Sequence, residues 1–595
     1  MELKTREQVE KRFTWDLTQI FENDDAWQTA FRACEQKMDV IGTVPGTLGV
    51  SAESLKKGLD TVFQQMKEVE RIYLYALLKK AEDNGADRYQ EMSARAMGLL
   101  MQINMASAFM SPELLQIPQE KLDSFMAGAE LEKYRHFVEK ICRSRAYTLD
   151  AERERMLAMM SEIAESPSEI FNMFESVDMT FPNVRDESGK EVPLTHASFG
   201  KLRESRNADV RREVSRTYFA EFSKYINMLA ATYAGNVKLD CFFSKVRGFE
   251  NACQSALFSD NIPTELYDNL ITAVEKGLPA LNRYTELQRD RLGLKEINLY
   301  DMNTPIVENV DIHLSYEDAC QMVREALKPL GEEYGKLLER AFSQRWIDVY
   351  ENKGKTTGAF SCDVYGVHPY VLLNFTGTLR DAYVIAHELG HSLHSYLSDA
   401  CQDYVNHRYS IFVAEVASTV NEVLMTRHLL KVQKDPSRRA YVLNQFLDGF
   451  RATVFRQTLF AEFEKKTHEM EEEGIPLTAR ALTELYHSLN KKYYSVCGQD
   501  GEFMDVEWAR IPHFYSAFYV YQYATGFCSA VRLVDRILNE NGREDYLKFL
   551  SAGGSDYPMN VLRAAGVDLL RPETLEESIF RFQEAVEELE QLLTE

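Results

Sequence analysis

Residues 378–400, TLRDAYVIAHELGHSLHSYLSDA, contain the most informative motif of the chain. They contain His387, Glu388 and His391 in the pattern H-E-x-x-H. Successive residues of an α-helix advance by about 100°, so the two histidines lie about 40° apart on one face, one turn from each other. Both imidazoles can therefore bind a single metal ion, with Glu388 beside them as a general base.

The same stretch has the features of a helix that packs into a core. Apolar side chains occupy the side opposite the histidines: Ile385, Leu389, Leu393 and Tyr396. Thr378 and Asp381 form the S/T-x-x-D/E signature of a helix start. These features favour a zinc site on a buried helix over the alternative of two surface histidines beside a solvated glutamate.

A catalytic zinc usually takes three protein ligands and leaves one position for water. The metzincin pattern would require glycine at position 394 and histidine at position 397, which are His394 and Leu397 here. His394 shares the ligand face, but three ligands on one straight helix would have to converge over two turns. A second apolar-periodic helix, over residues 410–430, carries Glu415 at its start, and we expect Glu415 to be the third ligand.

Glu422 follows Glu415 by seven residues and shares its face of the second helix. Metal-binding histidines commonly donate their other ring N–H to a carboxylate, which fixes the orientation of the ring. Glu422 is the candidate for that contact, and an ordinary solvated helix glutamate is the alternative.

The sequence resembles a known family along much of its length. HELGHSLHS at 387–395, followed by IFVAEVASTVNE at 411–422, resembles the thimet oligopeptidase-like zinc metallopeptidases, most closely the oligoendopeptidase F branch. The approach to the first helix, at 358–391, and the His- and Tyr-rich segment RIPHFYSAFYVYQYATGFCSA, at 510–530, are similar as well. The resemblance implies a mainly α, gluzincin-type fold that encloses a deep channel admitting short or unfolded peptides.

The resemblance also implies donors for the negative oxygen that forms during peptide hydrolysis. His513, Tyr519 and Tyr523 occupy positions that look like the His and Tyr positions of the family's substrate-binding segment. Tyr519 and Tyr523 are one helical turn apart, so both phenols can face the same side. Tyr515 and Tyr521 are the alternatives, since a shift of one or two residues in the comparison would select them.

Composition narrows the class of protein and its partners. The 595 residues are 45% hydrophobic and carry a net charge of −24, which argues against nucleic acids and anionic membrane surfaces as partners. The N-terminal residues have no apolar segment typical of a secretory signal, and no run is long enough to span a membrane. Nine scattered cysteines without a C-x-x-C pair indicate reduced thiols, so we expect a cytoplasmic protein.

Two regions are expected along the chain: an N-terminal helical region at 1–195 and a catalytic region at 196–595 that holds the H-E-x-x-H helix. A β-rich segment at 176–196 predicts a hairpin near the boundary, and long helical stretches follow at 208–239 and 263–292. Three strand-like runs, at 346–350, 358–363 and 370–375, predict a small sheet just before the metal helix. An edge strand of that sheet could pair with an extended peptide, or the sheet could be purely structural.

Together these features predict a zinc endopeptidase with one Zn²⁺ per chain that cuts internal bonds of short or unfolded oligopeptides. One alternative is a zinc carboxypeptidase, for which Arg510 or Arg380 would have to hold the substrate's terminal carboxylate. The other is a non-catalytic zinc- or peptide-binding protein. The presence of Glu388 argues against it, because a structural zinc site needs no base and usually has four protein ligands.

Overall fold

Helices account for most of the chain, which confirms the predicted mainly α fold class. The computed structural model describes residues 3–307 and 312–594. Its first thirteen helices are α1 (Asp24–Ile41), α2 (Ala52–Glu82), α3 (Asp87–Ser107), α4 (Met110–Gln116), α5 (Gln119–Met126), α6 (Arg135–Arg143), α7 (Ala151–Ala164), α8 (Ser166–Met173), α9 (His196–Leu202), α10 (Ala208–Lys224), α11 (Ile226–Arg247), α12 (Ala252–Leu257) and α13 (Glu265–Arg291).

The remaining helices are α14 (Tyr316–Leu327), α15 (Glu332–Ser343), α16 (Leu379–Cys401), α17 (Ile411–Val432), α18 (Pro436–Phe450), α19 (Arg456–Glu472), α20 (Ala479–Tyr493), α21 (Tyr521–Asn539), α22 (Arg543–Ala552), α23 (Pro558–Ala564) and α24 (Pro572–Thr594). The strands are β1 (Val184–Arg185), β2 (Glu191–Val192), β3 (Ile347–Asp348), β4 (Phe360–Cys362) and β5 (Tyr370–Leu372). No helix in the described part of the chain combines the length and hydropathy that a membrane span requires.

The chain forms two compact units whose segments alternate along the sequence. The first unit consists of Met1–Ala146, Ile312–His428 and Leu533–Gly566, and the second of Tyr147–Asp311, Leu429–Arg532 and Val567–Glu595. The predicted division near residue 195 concerns a single boundary along the chain. It stays a prediction, because these alternating units do not test it.

In the first unit, α1, α2 and α3 pack together around a continuous apolar core. Asn23 caps the start of α1 by accepting a hydrogen bond from the Ala26 amide, and Ser51 caps α2 in the same way through Ser54. Trp27 is buried between the helices, and its indole Nε1 donates to the Ile72 carbonyl at 2.9 Å. Burial of the ring and satisfaction of its one polar atom together fix how α1 lies on α2.

The predicted small sheet is present in the first unit, with strands shorter than the sequence runs suggested. Its strand order is β3-β5-β4, with β3 parallel and β4 antiparallel to β5. Beside it, the fully buried ammonium of Lys355 lies 2.7 Å from the Asp348 carboxylate and donates to the Tyr350 and Leu373 carbonyls. Arg6 pairs with the same carboxylate, so the N-terminal segment is fixed to β3.

The second unit contains the predicted hairpin and most of the remaining long helices. β1 and β2 are antiparallel, with Val184 opposite Val192. The helical stretch expected at 208–239 falls into α10 and α11, because Tyr225 between them leaves the helical conformation. α13 packs against α24, and α24 against α18. A π turn, Arg451–Phe455, joins α18 to α19 without interrupting the helical path.

Candidate active site

The metal-binding face belongs to α16, in the first unit. Thr378 caps the helix in a full capping box, in which the Thr378 amide donates to Asp381 Oδ2 at 2.8 Å and the Thr378 hydroxyl receives the Asp381 amide. The predicted apolar side is buried, except that Tyr396 is half-buried and receives a hydrogen bond from Arg340. On the other side, the Nε2 atoms of His387 and His391 lie 3.2 Å apart.

Glu415, near the start of α17, completes a triangle with the two histidines. Its Oε2 atom lies 3.5 Å from His387 Nε2 and 3.4 Å from His391 Nε2. Ligand atoms at zinc distances of about 2.0–2.2 Å in a tetrahedron are about 3.3–3.6 Å from one another. Two imidazole nitrogens and one carboxylate oxygen with these separations fit one tetrahedral ion and leave its fourth position for water or substrate.

Neighbouring side chains fix the orientation of this triangle. Glu422 Oε1 lies 2.8 Å from His387 Nδ1, which leaves Nε2 of that ring to face the triangle. Burial lowers the pKa of His387, but the hydrogen bond to Glu422 outweighs it, so the pKa lies above its ordinary value. The Ser418 hydroxyl donates to Glu415 Oε2 at 3.0 Å. Contact with His391 lowers the pKa of Glu415 to about 2, so this carboxylate stays ionised.

Glu388 differs from Glu415 in its surroundings. Its side chain is largely buried, with 7% of the residue exposed. Burial raises the pKa of the Glu388 carboxyl above its ordinary range, although the neighbouring His387 and His391 act in the opposite direction. The two carboxylates of the site therefore suit different tasks: Glu415 is a permanent anion, and Glu388 is a stronger base.

The three predicted oxyanion donors form a cluster of their own within the second unit. The Tyr523 hydroxyl and His513 Nε2 are 3.2 Å apart, and the ring of Tyr519 lies parallel to that of His513 with centroids 5.9 Å apart. Burial lowers the pKa of His513, which favours the neutral ring. The two alternatives lie elsewhere in this unit: Tyr515 stacks on Phe171, and Tyr521 is buried.

Comparisons with known proteins identify the family of this chain. The chain matches the model of Peptidase family M3 over residues 201–580, which span all seven predicted site residues, and that of Oligopeptidase F over residues 113–181. Oligopeptidase PepF of Bacillus subtilis (strain 168) is 41% identical over 100% of this chain and 89% of its own length. The chain belongs to peptidase family M3.

Two further similarities extend over nearly the whole of this M3 peptidase. Group B oligopeptidase PepB of Streptococcus agalactiae serotype III (strain NEM316) is 41% identical over 99% of this chain and 98% of its own. The crystal structure of oligoendopeptidase-F from Enterococcus faecium superimposes with a TM-score of 0.74 and 34% identity, covering 96% of this chain and 99% of that one. The family resemblance identified from the sequence is confirmed, and membership of family M3 implies peptide hydrolysis and a divalent metal.

Two residues that bring α16 and α17 together in the M3 chain were missed from sequence. Gly390 lies directly against α17, where a Cβ would stand 2.6 Å from Ser418 Cα and 2.7 Å from the Ala417 carbonyl oxygen. Asn421 on α17 donates to the Ala386 carbonyl of α16 at 2.9 Å. A glycine inside a helix costs about 1 kcal/mol of stability relative to alanine, so a glycine at position 390 indicates a reason such as close packing of another helix. Gly390 was therefore the feature of the sequence from which this packing could have been predicted.

Other residues near the motif have separate surroundings. His394 is buried and stacks on Tyr409, with ring centroids 3.7 Å apart, and burial lowers its pKa to about 3. His394 thus packs against Tyr409 and is not part of the triangle. Asp399 pairs with His407 at 2.8 Å. Arg510, considered as a holder of a substrate carboxylate, lies over the rings of Phe199 and Tyr218.

Proposed function

We propose that this M3 peptidase is a zinc-dependent endopeptidase that hydrolyses internal bonds of short or unfolded oligopeptides. The observation that supports zinc most directly is the triangle of His387 Nε2, His391 Nε2 and Glu415 Oε2, with edges of 3.2, 3.4 and 3.5 Å. The donor set of two imidazoles and one carboxylate, with one position left open, is typical of catalytic zinc. We propose one ion per chain, held by these three ligands.

Zinc held there would lower the pKa of a bound water and polarise the peptide carbonyl. Glu388 is the general base: its buried carboxylate takes a proton from the water that attacks the peptide carbon. The new C–O bond forms at that carbon, and the same proton then passes from Glu388 to the amide nitrogen as the C–N bond breaks. Burial of Glu388 supports this assignment, because a raised pKa brings the carboxyl closer to the pH at which it must both accept and release a proton.

His513, Tyr519 and Tyr523 are assigned as donors to the oxyanion of the tetrahedral intermediate. A neutral imidazole and two phenols supply N–H and O–H donors, and one such donor is commonly worth about 10²–10³ in rate. Their mutual contacts support the assignment, because each ring restricts the rotation of the other two. Restricted donors cost little reorganisation when the negative charge develops.

We assign the substrate backbone to the edge strand β4. This strand pairs only with β5 within its sheet, and its residues are half-exposed. It is tied to the metal helix by the hydroxyls of Ser361 on β4 and Ser392 on α16, which are 2.7 Å apart. Pairing through backbone hydrogen bonds tolerates many side chains, which suits an enzyme that cuts varied oligopeptides.

A reducing compartment, the cytoplasm, is proposed as the place of action. All nine cysteines are free thiols, and three of them are buried. Burial raises the pKa of Cys320 to about 12 and of Cys528 to about 12, so neither is a reactive thiolate near neutral pH. Thiols of this kind are typical of proteins that are kept reduced.

The test is mass spectrometry of the products from an unstructured peptide of about ten residues, combined with measurement of the zinc content of the purified chain. We expect one zinc per chain, internal cuts by the wild type, and loss of both cuts and zinc after chelation. Glu388→Gln should retain zinc and lose activity by several orders of magnitude, because it removes the base and leaves the ligands intact.

Glu333→Gln on α15 is the matched control, since it makes the same chemical change at a side chain that is 81% exposed. It should cut like the wild type. Single residues released from the C-terminus would replace the proposal with a carboxypeptidase. A folded wild type that contains zinc and cuts nothing would indicate a binding protein.

A further inference from the structure

The second unit contains a small cavity lined by three arginines. Arg203, Arg451 and Arg456 surround a space of about 20 Å³, enough for one water-sized species. Asn303 and Glu507 are among the other lining residues. Arg203 and Arg451 are only 5% and 6% exposed, so their charges are largely removed from solvent. Buried guanidiniums are costly unless they have counter-charges, so the partners of these three decide what the cavity can hold.

A local feature of the backbone directs two of the arginines to the same side. Arg451 and Arg456 are five residues apart, which on an α-helix would place them about 140° apart. Here they are the first residues of the π turn and of α19, and the Arg456 amide bonds to the Arg451 carbonyl across five residues. The wider turn brings both side chains to the cavity. Single π turns inside α-helices occur frequently at functional sites.

The carboxylates near the cavity are already engaged. Glu507 accepts hydrogen bonds from Arg456 at 2.6 Å and from the Tyr486 hydroxyl at 2.9 Å. Asp448 is 3.7 Å from Arg451, and it also accepts a hydrogen bond from the Tyr284 hydroxyl. Glu507 makes its short contacts with Arg456 and Tyr486, and Asp448 makes one with Tyr284. Neither forms an ion pair with Arg203, so Arg203 has no carboxylate partner among the residues that the structure describes.

Arg203 forms no close ion pair with a carboxylate in the described part of the chain, although the charge of Glu507 acts on it. Its Nη2 atom reaches only the Leu299 carbonyl, at 3.4 Å, and its buried Nε has no hydrogen-bond partner within the described chain. The buried Nε of Arg451 has none there either. Burial lowers the pKa of Arg203 to about 9; the charge of Glu507 opposes this shift, and those of Arg456, Arg510 and Arg451 add to it. The lining of the cavity thus holds three guanidiniums and one carboxylate, that of Glu507, an excess of positive charge in a chain whose net charge is −24.

We propose that this cavity binds one small monovalent inorganic anion, of halide size, between Arg203 and Arg451. The anion would accept hydrogen bonds from the two unpartnered Nε–H groups and supply the missing counter-charge. The volume of the cavity excludes larger anions such as phosphate esters. No residue of the proposed peptidase machinery lines the cavity, so binding can be measured without reference to peptide hydrolysis.

The first test measures the thermal unfolding of the full chain in sodium chloride and in sodium gluconate at the same ionic strength and pH. Chloride fits the cavity and gluconate does not. We expect chloride at about a hundred times its Kd to raise the unfolding midpoint by about 2–5 °C. Arg203→Gln should abolish the difference between the two salts, whereas Arg212→Gln, at an exposed arginine of α10, should preserve it. Equal midpoints of the wild type in both salts would overturn the proposal.

A second test depends only on the wild type, in case the Arg203 variant does not fold. Crystals grown or soaked in sodium bromide are measured at the bromine absorption edge. We expect an anomalous peak in the cavity within about 3.5 Å of the Nε atoms of Arg203 and Arg451. Bromide peaks confined to the protein surface, with ordered water in the cavity, would show that water solvates the guanidiniums and that no anion site exists.

Discussion

Gly390 on α16 packs against the backbone of Ser418 on α17, so closely that a Cβ on Gly390 would stand 2.6 Å from Ser418 Cα. The same Ser418 donates its hydroxyl to Glu415 Oε2. Close approach of the two helices and orientation of Glu415, the proposed third metal ligand, therefore depend on one contact. The glycine between the two histidines is required for geometry, because no other residue leaves room for the α17 backbone.

Gly390→Ala should separate α16 from α17. The new methyl group meets backbone atoms, which cannot rotate away, so we expect a loss of about 1–3 kcal/mol of stability and at least about tenfold weaker zinc binding. Thermal unfolding and zinc titration measure the two effects. Gly98→Ala on α3 is the control, because a Cβ there meets nothing within 4 Å and should stabilise by about 0.5–1 kcal/mol. Unchanged zinc affinity in Gly390→Ala would contradict the assigned role.

Glu422→Ala should weaken metal binding without removing a ligand. His387 would lose the partner that fixes its ring and makes its Nε2 more basic, and loss of such a contact typically costs about 10–100-fold in metal affinity or activity. Zinc affinity and kcat/KM are measured in parallel. Glu422→Gln retains an oxygen that can accept the Nδ1–H hydrogen bond, so its loss should be smaller. Equal losses in the two variants would show that the hydrogen bond is not sufficient without the negative charge, because Glu422→Gln keeps the acceptor and removes only the charge.

Tyr523→Phe should lower kcat by about 10²–10³ while zinc content and the unfolding midpoint stay near those of the wild type. The substitution removes one hydroxyl that lies 3.2 Å from His513 and leaves the ring in place. Tyr515→Phe is the matched control, since the Tyr515 ring packs on Phe171. If Tyr515→Phe loses activity and Tyr523→Phe does not, the oxyanion donors have been assigned to the wrong tyrosine.

Glu464 makes the stability of the second unit depend on pH. Burial raises the pKa of this carboxyl to about 8, compared with about 4.3 in an unfolded chain. Between these values the folded state holds a proton that the unfolded state has released, so stability should fall as pH rises from about 4.5 to 8 and then level off. Glu464→Gln should flatten this slope, and Glu473→Gln, at an exposed end of the same helix, should not. Unfolding midpoints measured across that pH range test both variants.

Local sequence patterns were sufficient to predict which side chains meet on α16 and α17. The spacing of His387 and His391, the cap at Thr378 and the position of Glu415 in a second periodic helix all follow from helical geometry, and the structure brings His387, His391 and Glu415 together. The contact between Gly390 and Ser418 could not be read from periodicity, because it depends on how two helices approach in space. The cavity of Arg203 and Arg451 could not be predicted from the sequence for the same reason, because its residues are far apart in the chain.

Sequence patterns could not predict the strand lengths or the two alternating units, for a related reason. The runs at 346–350, 358–363 and 370–375 have the composition of strands, but only two or three residues of each find partners in the sheet. The length over which a strand pairs depends on its neighbours, and that is a property of the assembled unit. The oxyanion donors were selected by family resemblance, and the structure gathers His513, Tyr519 and Tyr523 into one cluster while Tyr515 and Tyr521 pack elsewhere.

The attachment of the N-terminal segment to β3 has a consequence for synthesis on the ribosome. Arg6 and Trp15 contact Asp348, which is made more than 330 residues later. At roughly 5–20 residues per second, the nascent N-terminus waits on the order of tens of seconds for its partner. The first unit is completed only when Gly566 has emerged, long after its first segment, Met1–Ala146, has been made. Final assembly of the unit that carries the candidate metal site is therefore a late event, and truncated chains released before Gly566 should lack it.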